Sequence, residues 1–326
     1  MKQTVRKLEE TIRIVKKNNP DKSNIYILLD IIYNVIVYRI GLVDYRKSDF
    51  INISKEKKKQ CIGKAGYKKM INYFNNEKYT QIFFDKAIFN KVFSKYIKRD
   101  FIDLRSASYE EFEEFIRDKE DFFVKPPDGQ GGKMVEKVIN RGIDTRALYG
   151  KLISNRQFIV EQTIIQHGEL NRINGGAVNN LRVLSLLNNG TVHILGLCMR
   201  FSNEVDEAIT SNDIMCRPGP DGVLTGDAYD DYFNAYKTHP RSGTEFKGFR
   251  IPFVAEALEM VKKAALEVPA VRYVGWDVAI TPDGPLIIEG NFYPAVGLHQ
   301  FYLINEDYPL KKKIVEIIGD EYENFK

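Results

Sequence analysis

The chain has 326 residues, 44% of them hydrophobic and 28% charged, enough for two or three packed lobes and unlike the composition of a disordered protein. Its 48 basic and 44 acidic residues leave a formal charge of +4, a mixed surface whose small surplus demands no nucleic-acid partner and mildly favours anionic substrates. Cys61, Cys198 and Cys216 lie far apart without a CxxC pair, which excludes a disulfide framework and a zinc ribbon and predicts a reducing compartment.

In chain order, the opening stretch MKQTVRKLEETIRIVKKNN is charged throughout and lacks the apolar segment of a signal peptide, so a cytoplasmic protein is expected. Val5, Leu8, Ile12 and Val15 recur at helical spacing until Asn18-Asn19-Pro20 stops the run. Ile25 to Val43 is the most apolar window, but Asp30, Asn34 and Arg39 are costly at the centre of a bilayer. A buried helix, not a membrane span, is the expectation there, with peripheral membrane contact as the alternative. Lys55 to Lys59 reads as a solvated helix face or as a docking patch for acidic lipid or glycan. Further helices are predicted over Lys86 to Ile97 and Tyr109 to Ile116, the second opened by a Ser108/Glu111 capping box.

From Asp121 the pattern changes to short strands, Phe122 to Lys125, Lys133 to Val138 and Gln157 to Gln162, with a helix near Asp144 to Leu152. The stretch DFFVKPPDGQGGKMVEKV places Lys125 before a Pro/Gly cluster, where glycines let backbone N–H groups approach a ligand and lysines add charge for phosphate oxygens. Taken alone, the stretch reads first as an ordinary Gly-rich hairpin. A P-loop is excluded, because Met134 follows Gly132-Lys133 and Pro127 stands where the first glycine belongs. Leu181 to Leu187 and Val192 to Phe201 flank an Asn-Gly turn at Asn188-Asn189-Gly190 and predict adjacent antiparallel strands. Arg217 to Gly226 is irregular enough for a substrate loop, and Pro252 opens a helix with Val254, Leu258, Val261 and Ala265 on one face.

The last hairpin, GWDVAITPDGPLIIEGNFYP, carries the most chemistry. A symmetrical turn at Thr281 to Pro285 predicts Ile280 opposite Leu286 and Asp277 opposite Glu289. Trp276, Val278, Ile280, Leu286 and Ile288 then share an apolar face, and Asp277, Glu289 and Asn291 the other. Facing carboxylates repel unless something lies between them. A divalent cation with oxygen ligands fits, as do solvent or a nearby arginine.

Lys86, Lys125 before its glycine loop, IVEQTI and DVAITPDGPLIIEGN follow one another in an order that resembles the ATP-grasp superfamily. More narrowly, VNNLRVLSL, HPRSGTEFKGFRIP and VGWDVAITPDGPLIIEGNFYPAVGLHQ resemble its sugar-transfer-associated family, related to glutamate-ligase-type enzymes, and the likeness runs from about Gly41 onward. The resemblance implies an α+β ATP-grasp fold, in which two α+β lobes clasp ATP and Mg2+. Residues 1–100 would form a helical N-terminal region, 101–165 the small lobe and 166–326 the C-terminal lobe. By the same resemblance Lys86 and Lys125 would contact phosphates, and Gly129, Gly131 and Gly132 would form the lid. Glu161, Gln162 and Ile164 would hold adenine chiefly through backbone groups, with Glu169 on the ribose. Arg182 and Arg200 would steady the transferring phosphoryl group, each fitting a structural ion pair as well, and Asp277, Glu289 and Asn291 would hold magnesium. Pro294 keeps the proline of peptide-ligase relatives. The family's Asn followed by paired glycines is replaced here by EAITSNDIMCRPGPDG, so substrate recognition is expected to differ, and His239 and His299 have no assigned role. The implied activity joins a carboxylate to an amine in surface-polysaccharide assembly. A kinase-like phosphotransferase and a non-catalytic nucleotide-binding protein are the alternatives.

Overall fold

The computed structural model describes residues 2–129, 134–202, 213–295 and 309–325. Helices fill the first part: α1 (Lys2–Asn18), α2 (Asn24–Val37), α3 (Leu42–Lys47), α4 (Lys55–Lys58), α5 (Lys64–Phe74), α6 (Glu77–Phe84), α7 (Lys86–Val92) and α8 (Ser94–Ile97). The expected single helix over 86–97 breaks at Phe93, which packs edge-on to Trp276 with ring centroids 5.5 Å apart. Residues of α1 to α3 and the turn after them share a core of Val15, Ile27, Ile31, Ile40, Tyr45 and Phe50. That unit docks on a distant loop through Asn18 Nδ2 donating to the Tyr232 carbonyl at 3.1 Å and the Lys47–Asp231 ion pair at 2.5 Å. The buried helix expected near Ile25 is corrected here: α2 buries only Ile27, Ile31 and Asn34 and turns the rest of its apolar surface outward.

Next come β1 (Phe101–Asp103), α9 (Tyr109–Ile116), β2 (Asp121–Lys125), β3 (Glu136–Ile139), α10 (Thr145–Ser154) and β4 (Ile159–Gln162). The four strands pair antiparallel in the order β1-β4-β2-β3, and α9 and α10 cover one face through Phe112, Ile116, Leu148 and Leu152. The Ser108 capping box forms as read: Glu111 N–H donates to Ser108 Oγ at 3.2 Å, and Ser108 N–H to Glu111 Oε2 at 2.7 Å. Because side chains alternate along a strand, Phe122 and Val124 fill this core while Phe123 and Lys125 face the opposite side.

The remaining elements are α11 (Gly168–Asn171), β5 (Asn180–Asn188), β6 (Thr191–Phe201), β7 (Ile214–Cys216), β8 (Ala228–Tyr229), β9 (Ala235–Tyr236), α12 (Val254–Ala265), β10 (Tyr273–Thr281), β11 (Gly284–Asn291) and α13 (Leu310–Ile318). A seven-stranded antiparallel sheet runs β11-β10-β5-β6-β7-β8-β9. The Asn-Gly turn takes positive φ at both Asn189 (48°) and Gly190 (77°), the two-residue geometry that matches strand twist. One face of the sheet is apolar throughout, with Leu181, Val183, Trp276, Val278 and Ile280 packed on α12 and on α6 to α8. The opposite face changes character along its length. Leu184, Leu186 and Tyr273 pack on α5 and α13, whereas Asn180, Arg182, Arg200 and Asp277 line a cavity.

The terminal hairpin departs from the symmetrical turn. Its loop is only Pro282-Asp283, so Ile280 faces Pro285 and Ala279 faces Leu286. A bulge between Asp277 and Val278 then inserts Ile288 and restores Asp277 opposite Glu289. Ile287, not Leu286 or Ile288, joins the apolar core, and Ile288 lines the cavity. Arg217 to Gly226 is an ordered turn, closed by Gly219 N–H donating to Val223 O at 2.7 Å and Thr225 N–H to Arg217 O at 3.1 Å. None of its residues is in the lining of the cavity described below.

Candidate active site

A cavity of about 770 Å³ lies between the polar faces of the two sheets. Its roof is β2 with the start of the glycine loop, its floor is β5, β6 and the β10–β11 hairpin, and residues 161–166 pass along its back.

At the back, Glu161 is buried with four donor contacts on its carboxylate. Lys125 Nζ lies at 2.7 Å, Arg99 Nη2 at 3.1 Å, Arg99 Nε at 3.2 Å and Asn90 Nδ2 at 2.8 Å. Burial alone raises this carboxyl, but the Arg99 and Lys125 charges outweigh it and hold the pKa down to about 2. Arg99 also donates to the Ile287 carbonyl at 3.0 Å and the Ile288 carbonyl at 3.1 Å. The bulge thus has a structural consequence: Arg99 holds β4 of the small sheet and β11 of the large one with one guanidinium.

Lys86 stands at the first position of α7, where Asp85 caps the helix by accepting from Ala87 N–H at 2.9 Å and Ile88 N–H at 3.1 Å. Its Nζ donates to the Gly129 carbonyl at 3.0 Å, and its N–H to Pro127 O at 2.9 Å. Burial, followed by the nearby Lys125 charge, lowers the Lys86 ammonium below the usual lysine range. Gly129 has φ +131°, a conformation that favours glycine. Gly131 and Gly132 lie outside the described residues.

On the floor, Arg182 grips Asp277, Nε to Oδ1 at 2.5 Å and Nη2 to Oδ2 at 2.8 Å. Gly275 makes room for this pair: a Cβ there would stand 2.7 Å from Pro294 and 3.2 Å from Arg182 Nη1. Glu289 faces Asp277 across the ladder from an exposed position. The Asp277 carboxyl is pushed up to about 6, first by burial and further by Glu289, against the pull of Arg182 and Arg200. Asn291 lies in the same cavity wall, its Oδ1 accepting from Tyr293 N–H at 2.9 Å. Arg200 lines the cavity and pairs with Asp213 at 2.7 Å. Among the described residues no group of three or more His, Cys, Asp and Glu side chains gathers around a metal position. The hairpin offers two carboxylates and an amide, an oxygen-only set in which opposed charges are partly uncompensated, and this chemistry fits magnesium completed by phosphate oxygens.

Gln162 and Ile164 line the back of the cavity with Glu161. The cavity side of Glu161 is its buried ion network and not a hinge contact alone. Glu169 is absent from the lining; it is exposed and pairs with Arg172 at 2.7 Å, while Asn171 of the same short helix faces the cavity. His239 is buried in a loop, with Nε2 3.1 Å from the Ser202 carbonyl, and burial lowers its pKa. His299 lies outside the described residues. Residue patterns had not pointed to Asn90, Arg99 or Asn180. Asn180 is buried at the cavity wall, and its Oδ1 has no hydrogen-bond partner among the described residues. The only signal for it was its place in VNNLRVLSL.

Two α+β lobes, one bearing a strand lysine and glycine loop and the other an acidic hairpin, closed on a polar cavity, define an ATP-grasp fold. The chain belongs to the sugar-transfer associated ATP-grasp family, whose profile matches residues 67–307. Solved structures similar to it include N5-carboxyaminoimidazole synthetase from Staphylococcus aureus complexed with ADP (15% identity, TM-score 0.48, 73% of this chain and 52% of that one). The ATP-grasp ligase PsnB complexed with minimal precursor is similar at 12% identity and TM-score 0.45, with 78% and 64% covered. D-alanyl-alanine synthetase A from Vibrio cholerae O1 biovar eltor str. N16961 is similar at 10% identity and TM-score 0.45, with 74% and 66% covered. The chain thus spans between about half and two thirds of the length of those proteins. No curated protein matches it in sequence.

Proposed function

We propose that this protein is an ATP-dependent carboxylate–amine ligase that works through an acyl phosphate. The observation that carries the reading is the charge layout of the cavity. Two cations, Lys125 and Arg99, surround the single carboxylate of Glu161 at the back, and Lys86 stands close to Lys125. That end suits phosphate oxygens. The acidic hairpin suits a cation, with Asp277, Glu289 and Asn291 as its ligands; magnesium bound there would neutralise phosphate charge. Apolar walls at Ile164, Val135 and Ile288 suit the faces of an adenine ring.

In this scheme a substrate carboxylate oxygen attacks the γ-phosphorus, ADP leaves, and an amine then displaces phosphate from the acyl carbon. Arg182 and Arg200 stand where negative charge develops, so positioning and charge stabilisation supply the catalysis without a side-chain nucleophile. Members of the family carry the sugar-transfer association, which supports a glycan carboxylate or amino-sugar substrate and a role in polysaccharide assembly. Incubation with ATP, magnesium and a library of carboxylates is expected to yield ADP and free phosphate in equal amounts. An amide should form when an amine is present, and a hydroxamate when hydroxylamine replaces it. A stable phosphorylated product without hydroxamate would make the protein a kinase, and ATP binding without turnover a nucleotide-binding protein.

A further inference from the structure

The outward face of α2 has no partner among the described residues and no charged side chain on it. Ile25 is 72% exposed, Leu29 60% and Ile36 69%, and Ile32 continues the same stripe at helical spacing. Tyr26 and Tyr33 border it, both about half exposed. A surface helix in water ordinarily has the opposite arrangement, with polar residues outside. Asp30 and Asn34 of α2 are turned inward. Asn34 Nδ2 donates to the Asp30 carbonyl at 2.7 Å and to its carboxylate at 2.8 Å, and the Tyr45 hydroxyl donates to the same carboxylate.

The charge around this face is as one-sided as its polarity. Residues 1–62 hold 14 Lys and Arg against 7 Asp and Glu, whereas the rest of the chain holds 34 against 37. Exposed Arg39 follows α2 directly. Tyr38, its C-terminal cap, stacks edge-on to Phe50, and Lys58 Nζ stands 5.2 Å from the centre of the same ring, so α4 lies beside this end of the helix. Lys55, Lys57 and Lys59 are exposed there.

We propose that α2 docks in the plane of an anionic lipid bilayer surface. Its apolar stripe would enter the boundary between headgroups and acyl chains, and Arg39 and the α4 lysines would meet anionic headgroups. Fourteen residues make a helix of about 21 Å, shorter than the roughly 30 Å hydrocarbon core, so the geometry is that of a helix lying on the membrane. No helix among the described residues is long and apolar enough to cross one. A second copy of this chain fits less well, because a two-fold contact through α2 would bring two units with the same basic surplus together. The unit is anchored near Asp231 and Tyr232, beside the β8–β9 edge of the large sheet, and at its other end by Lys64 N–H donating to the Arg39 carbonyl at 3.1 Å and Lys311 Nζ to the Lys59 carbonyl at 2.9 Å.

Flotation of the full chain with vesicles of phosphatidylcholine, with and without phosphatidylglycerol, tests this. Binding is expected to the anionic vesicles, to weaken with salt, and to fall about tenfold or more in Leu29→Ser/Ile36→Ser. Lys57→Ala should weaken it about fivefold. Far-UV circular dichroism and melting of the serine variant should match the parent, since both side chains face solvent. Absence of flotation with either vesicle overturns the proposal, as does equal flotation of the serine variant. Concentration-dependent dimerisation in sedimentation, lost in that variant, overturns it in favour of a second copy.

Discussion

The two charged ends of the cavity are built from the same parts and balanced in opposite directions. At the back, Arg99 and Lys125 face the single carboxylate of Glu161; on the floor, Asp277 and Glu289 face each other, with Arg182 paired to Asp277. The first arrangement holds its acid ionised down to about pH 2, and the second pushes its buried acid up to about 6. Burial does not decide charge by itself: two cations lie within reach of each buried acid, and only Asp277 has a second carboxylate, Glu289, beside it. One end is left with positive charge to offer and the other with negative charge to be neutralised.

The comparison can be broken from either side. The largest expected effect is on the floor, where Glu289→Gln should abolish magnesium-dependent turnover and change folding stability by no more than about 0.5 kcal/mol, because the side chain is exposed. Titrating activity against magnesium checks it; a variant with the parent's magnesium response would remove the hairpin from the metal site. At the back, Glu161→Gln strands two buried cations and should cost about 3–5 kcal/mol in guanidinium unfolding.

The same substitution sharpens the contrast through pH. Glu161 has a folded-state pKa below its unfolded one, so its contribution is complete above the ordinary glutamate range and is lost as pH falls toward about 2. The stability gap between parent and Glu161→Gln should therefore be constant near neutrality and close between about pH 4.5 and 2. A gap that stays open at acid pH would mean that shape, not charge, makes the difference. The smallest effect is expected for Lys125→Ala, since Arg99 remains to pair Glu161. Calorimetry should show ATP affinity weakened by about 1.5–3 kcal/mol in a protein that still folds. Unchanged affinity would separate Lys125 from the nucleotide.

Local features were legible in the sequence because their causes are local. The Ser108 capping box, the Asn189-Gly190 turn and the glycine at position 129 each satisfy a backbone demand within a few residues. The Asp277–Glu289 pairing was also readable, though by two offsetting errors: the loop is shorter than the symmetrical turn, and the Ile288 bulge restores the register. Arg99 and Asn90 were not readable. Their partner Glu161 lies 62 and 71 residues away, and a lone arginine or asparagine in a helical stretch looks like any solvated side chain.

The seven longer strands, the residue types that meet at the hairpin and the family the motifs resemble were readable from sequence, since alternation and turn chemistry act over a few residues, whereas the two- and three-residue strands β1, β7, β8 and β9 were not. Only the tertiary structure decided which charges share a burial site, that Glu169 turns away to Arg172, and that α2 faces outward. The reason is physical. A helix apolar on nearly every side reads much the same whichever side the core takes, and an ion pair acquires its energy only when folding removes both partners from water.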